Sequence, residues 1–165
     1  MSKLYLDLDG VLADFTKRYI ELYSEHPDDI RGRKNFSCNW KNFIENRHFA
    51  TLDKFPGCDE LLQYVSNLEK KHHIDVEILS SSGGEEYHDL VESQKKLWLI
   101  ANGIFYKRNI VPSRSLKKKY ATYQSILIDD TEDVITDFNE AGGIGILHKN
   151  VVDTIKTLEA IFEKH

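Results

Sequence analysis

The sequence predicts an α/β fold, a doubly wound parallel sheet covered by helices. Short, continuously apolar runs recur along the chain, the form taken by strands buried on both faces. Helically spaced segments separate them, and strand–helix alternation with right-handed crossovers closes on itself as a doubly wound sheet. Two of the runs end in acidic pairs, Asp7/Asp9 and Asp129/Asp130, and open α/β sheets carry their ligand sites at the carboxyl ends of strands.

The expected strands are residues 4–8, 76–79, a weak 110–111, 126–128 and 144–147. After Pro56-Gly57, the spacing of Leu61, Leu62, Val65 and Leu68 predicts a helix. Leu90, Val91, Leu97 and Trp98 predict another, less regular one. Val134, Ile135, Phe138 and Ala141 form a third face, stopped by Gly142-Gly143, and Val151, Ile155, Leu158 and Phe162 form the last. Residues 15–55 break this rhythm: they hold Phe15, Tyr19, Tyr23, Phe36, Trp40, Phe43 and Phe49 but no strand pattern. They read as a small helical insertion above the carboxyl edge of the sheet, its aromatics mostly packing its own core.

At 165 residues the chain is one domain, 1–165, with that insertion inside it. Its composition, 41% hydrophobic and 30% charged, is that of a soluble globular protein. No apolar run approaches the ~20 residues of a membrane span, and the acidic start of the chain is unlike an export signal, so a cytoplasmic protein is expected. Cys38 and Cys58 match no metal spacing and read as free thiols. The net charge of −5 argues against a dedicated nucleic-acid binder. The charge is uneven, however. Residues 107–119 carry six basic groups and no acid, and residues 31–48 carry Arg31, Arg33, Lys34, Lys41 and Arg47 against Glu45. Such runs are either solvated faces or a positive field around an anionic substrate.

The chemistry concentrates at strand ends. Asp7 and Asp9 alternate and so lean the same way, which costs repulsion unless a cation lies between them. Gly10 then permits a sharp turn. An EF-hand loop counted from Asp7 would need Gly and Glu where Leu12 and Arg18 stand. Asp129 and Asp130 close a second buried run, so three or four carboxylates converge, and a hard divalent cation is their natural partner. The third run opens into Ser80, Ser81, Ser82, Gly83 and Gly84, hydroxyls and backbone N–H groups suited to a phosphate. It is not a P-loop, since no Gly-Lys-Ser/Thr follows. One lysine of 117–119 could reach that phosphate. Lys117 is favoured because Tyr120 and Ala121 would pack inward one helical turn away, whereas counting ten residues back from Asp129 gives Lys119. The glycines at 142–145 precede a strand and are a helix stop rather than a dinucleotide fingerprint.

In this order, Asp7-Leu8-Asp9-Gly10-Val11, Ser80, a lysine of 117–119 and Ile128-Asp129-Asp130 resemble the four motifs of the haloacid dehalogenase-like phosphatase superfamily, over nearly the whole chain. Asp7 through Phe15, Lys95-Lys96-Leu97-Trp98, Leu127-Ile128-Asp129-Asp130 and the stretch from Asn46 to Pro56-Gly57 resemble the 5'(3')-deoxyribonucleotidases more narrowly. The insertion is shorter here, and Ser80-Ser81 stands where that family often has Thr-Ser. The resemblance implies a Rossmann-like sheet with a small helical cap after strand one, and a Mg²⁺-dependent phosphatase. It implies Asp7 as nucleophile and Asp9 as acid and base. Asp7, the Asp9 carbonyl and Asp130 would hold Mg²⁺ with Asp129 in support, while Ser80, Ser81 and Lys117 would hold the phosphate. Phe15 would stack on a base. The implied substrate is a small phosphomonoester, a nucleoside monophosphate. Membranes and nucleic acid are not expected partners, and a homodimer is left open. Two rivals remain: a phosphatase of polynucleotide ends, and a silent binding module, against which stand the four intact acids.

Overall fold

The computed structural model describes residues 2–30 and 34–163. Arg31 and Arg33 lie outside the described residues. Five strands, β1 (Lys3–Leu6), β2 (Asp75–Ser81), β3 (Lys107–Val111), β4 (Ser125–Asp129) and β5 (Ile144–Leu147), form one sheet in the order β3-β2-β1-β4-β5. Every pairing is parallel. The pleat sorts the apolar residues. Leu4, Leu6, Val76, Ile78, Ile126 and Ile128 enter the larger core on one face. Tyr5, Leu79 and Leu127 enter the smaller core on the other, the period-two alternation of strands buried on both sides.

Helices α4 (Cys58–His72), α5 (His88–Ala101) and α7 (Val151–Phe162) send Leu61, Val91 and Leu158 into the larger core. Helix α6 (Glu132–Glu140) covers the opposite face with Val134 and Phe138. Among the described residues no helix is long and apolar enough to cross a membrane. Cys38 is exposed and Cys58 buried, both free.

Several limits differ from the sequence pattern, β3 starting at Lys107 and β4 running one residue longer at each end, and three further differences have a local reason. β1 stops at Leu6, because the Leu8 carbonyl accepts from the backbone N–H groups of Val11, Leu12 and Ala13 and curls the chain. β2 runs on through Ser80 and Ser81, which stay in register with Ile110 and Val111 of β3. Residues 114–120 form a 3₁₀ helix (Arg114–Tyr120) instead of the α-helical turn expected around Lys117. The inner face of α5 also differs. Leu90 and Leu97 are 50% and 45% exposed, while Gln94 and Lys95 are buried beside Val91 and Trp98.

Between β1 and α4 the chain folds into α1 (Phe15–Tyr23), α2 (Pro27–Ile30), α3 (Lys34–Glu45) and a 3₁₀ turn (His48–Ala50). Phe15, Tyr19, Phe43 and Phe49 pack together inside this layer. Helix α5 pins it to the sheet. Gln94 donates to the Ile44 carbonyl at 2.8 Å and accepts from the Phe49 N–H at 3.2 Å. The Trp98 indole N–H donates to the Leu52 carbonyl at 2.7 Å. Trp98→Phe keeps most of the packing but strands that buried carbonyl, so the variant is expected to lose ~1–3 kcal/mol in urea unfolding. An unchanged midpoint would show that the carbonyl finds another partner.

Candidate active site

β1, β2 and β4 are neighbours, so the residues at their carboxyl ends meet. The Asp7 N–H donates to the Ile128 carbonyl at 3.0 Å, carrying the β1–β4 ladder one step past the strand. Asp7 Oδ1 accepts from the Leu8 N–H at 2.8 Å, which sets the carboxylate at the edge. Gly10 follows with φ +79°, and a Cβ there would collide with Asp130 Oδ2. Only glycine gives both that backbone angle and that close approach.

The Lys117 ammonium sits between the two strands, 2.6 Å from Asp129 Oδ2 and 3.2 Å from Asp7 Oδ1, and is 3% exposed. Asp129 is fully buried, and its Oδ1 accepts from the Thr131 N–H at 3.0 Å. Carboxylate oxygens of Asp7, Asp129 and Asp130 lie within 4.8 Å of one another, an acidic group that could hold a metal ion. Hard oxygen donors at such spacing suit a divalent cation. Electrostatics agree. Burial, and then the Asp129 charge, push the Asp7 carboxyl well above its usual range against the pull of Lys117. Asp130 reaches solvent at the rim, yet partial desolvation and the Asp129 charge push it up to about 7, against a lowering hydrogen bond from Thr131. Burial would lower the Lys117 pKa, but Asp7 and Asp129 outweigh it and raise it.

A cavity of about 370 Å³ opens over these groups, lined among others by Asp7, Asp9, Phe15, Ser80, Ser81 and Lys117. Phe15 shows little of itself to solvent: it is 6% exposed, with its ring stacked on Phe49 at 5.6 Å and 7°. Lys118 and Lys119 point to solvent. Of the other basic residues Arg114 lines the cavity while bridging to Asp133 at 2.9 Å, and Lys41 is an exposed partner of Glu45. Trp40 and Arg114 were not singled out as site residues from the sequence. Nor was Lys95, which stands in the Lys-x-x-Trp stretch of residues 95–98. Its Nζ donates to Asp9 Oδ2, Ser80 Oγ and the Ser81 carbonyl at 3.1, 2.7 and 2.7 Å. The available signal was a lysine between Val91 and Trp98, on the apolar side of a helix.

The parallel sheet with its helical insertion, and the acids at its central carboxyl edge, have the arrangement that the resemblance to the haloacid dehalogenase-like superfamily implies. A model of the family described as "5' nucleotidase, deoxy (Pyrimidine), cytosolic type C protein" (NT5C) matches residues 1–157, and the chain belongs to that family. The fold is similar to those of a hydrolase from Streptococcus pneumoniae TIGR4 (TM-score 0.54, 19% identity, covering 96% of this chain and 98% of that one) and a hydrolase from Pseudomonas syringae (0.51, 16%, 95% and 90%). It is also similar to that of D,D-heptose 1,7-bisphosphate phosphatase from Burkholderia thailandensis (0.50, 10%, 100% and 100%). No curated protein matches the sequence.

The raised carboxyls make a prediction about the metal-free protein. The Asp130 pKa lies near 7 when folded and 3.8 in its unperturbed state. Its contribution to stability is therefore complete below about pH 4 and is lost as pH rises through 7. In EDTA, wild type should lose more of its melting temperature between pH 5 and pH 8 than Asp130→Asn does, and a divalent cation should restore the difference in wild type alone. Identical pH profiles for the two proteins would contradict the crowding described.

Proposed function

We propose that the protein is a Mg²⁺-dependent phosphomonoester hydrolase that works through an aspartyl-phosphate on Asp7, with nucleoside monophosphates as substrates, as a 5'(3')-(deoxy)ribonucleotidase. The observation that carries this reading is the Asp7–Lys117–Asp129 arrangement, with Asp130 beside it, at the edge of two adjacent parallel strands.

Asp7 bonds to phosphorus as the bond to the leaving oxygen breaks, and Asp9 gives that oxygen its proton. Water then attacks the aspartyl-phosphate, passing its proton to Asp9 as the bond to Asp7 breaks. Ser80, Ser81 and Lys117 hold the transferring oxygens. Asp7, the Asp9 carbonyl and Asp130 would hold Mg²⁺, with Asp129 in support. When bound, the ion neutralises charge on the nucleophile and the phosphoryl group. The family match supports a nucleotide as the leaving group, and Phe15 in the cavity wall supports an aromatic contact for its base. A cytoplasmic setting agrees with the family's printed description.

Asp7→Asn keeps the shape and removes the nucleophilic anion, so turnover should fall at least ~10³-fold while the melting curve survives. Near-normal turnover in the folded variant would sink the mechanism. Substrate class is read from a panel of nucleoside monophosphates, sugar phosphates and end-phosphorylated oligonucleotides with Mg²⁺. The expected order puts nucleoside monophosphates first, and Phe15→Ala should cost ~5- to 150-fold in kcat/KM for them but much less for a small aryl phosphate. Equal losses would make Phe15 a packing residue, and a preference for sugar phosphates or oligonucleotides would replace the substrate assignment.

A further inference from the structure

We infer that Lys95 is a positioning residue that holds Asp9 for proton transfer to the leaving oxygen, an inference that rests on the phosphatase reading above. Lys95 is 2% exposed on the inner face of α5. An ammonium has three N–H donors, and here all three are committed: to Asp9 Oδ2 from the loop after β1, and to Ser80 Oγ and the Ser81 carbonyl from β2. The Phe49 ring lies 5.2 Å from the same nitrogen. No donor remains for a phosphate oxygen, so the role differs from that of Lys117.

The two oxygens of Asp9 are treated unequally. Oδ2 is fixed by Lys95, while Oδ1 is buried and has no hydrogen-bond partner among the described residues. The Asp9 side chain is still 32% exposed, so a substrate oxygen can reach the carboxyl group, and the grip on Oδ2 sets its direction. Ser80 Oγ accepts from Lys95, so its own hydroxyl proton stays available for a phosphoryl oxygen.

The leaving group discriminates this role from a structural one. In the first step the Asp7–phosphorus bond forms, the phosphorus–leaving oxygen bond breaks, and the Asp9 proton moves to that oxygen. A nucleoside alkoxide needs the proton, whereas 4-nitrophenolate departs without it. The parameter kcat/KM covers the steps through that departure. Lys95→Met, assayed with saturating Mg²⁺, should lose ~10²-fold or more in kcat/KM for a nucleoside 5'-monophosphate and less than ~5-fold for 4-nitrophenyl phosphate, in line with the usual worth of a general acid. Equal losses on both substrates would overturn the inference. Should Lys95→Met fail to fold, Lys95→Gln carries the same comparison, with the same split expected and equal losses again overturning it. Asp9→Asn separates the two claims. If it alone spares nucleotide hydrolysis, the general-acid reading has failed. If it is impaired, adding Lys95→Met should cost almost nothing further on the nucleotide, and a further tenfold loss would mean that Lys95 acts elsewhere.

Discussion

The site depends on one buried cation between two buried acids. Lys117 contacts Asp7 and Asp129 in a region where all three are almost fully enclosed. Removing one partner of such a group commonly costs about 3–5 kcal/mol, because the others are left charged and unpaired. A single ammonium also cannot balance Asp7, Asp129 and Asp130 together, and the excess negative charge shows in the raised carboxyl groups of Asp7 and Asp130. A divalent cation would relieve that excess. The stability of the edge and its chemistry are thus two consequences of the same charge imbalance.

The backbone is arranged around this imbalance. β1 lies between β2 and β4, so the nucleophile candidate has the Ser80–Ser81 edge on one side and the acidic edge on the other. The connection leaving β1 turns at once through Leu8 and Gly10, which lets Asp130 lie against the glycine. The chain then rises into the aromatic helical layer, and α5 ties that layer down through Gln94 and Trp98. Lys95 is buried beside them on α5 and reaches Asp9 and Ser80 in the site. One helix therefore fixes both the cover and the acid beneath it.

The strands and their acidic ends were legible in the sequence, because a strand buried on both faces is written as a continuous apolar run and a charge beside it stands out. Strand limits were less so. Ser80 and Ser81 look like loop residues until their ladder with Ile110 and Val111 is known. The choice among residues 117–119 depended on a 3₁₀ turn that buries Lys117 alone, which the lysine run cannot encode. Phe15 is recognisably aromatic and near the turn, but its stacking on Phe49 comes from a residue 34 positions away. Lys95 was hardest: its partners lie 86, 15 and 14 residues distant, and local periodicity favoured Leu90 and Leu97, which the fold leaves outside.

The central claim is that Asp7 carries the phosphoryl group. It is tested most directly by quenching the protein during turnover of a nucleoside monophosphate, reducing with borohydride and sequencing the peptides by mass spectrometry. An aspartyl-phosphate is an acyl phosphate and reduces to homoserine. The account predicts homoserine at position 7, formed only with substrate. Full turnover with no modification at position 7, or with homoserine at position 9 instead, would contradict it.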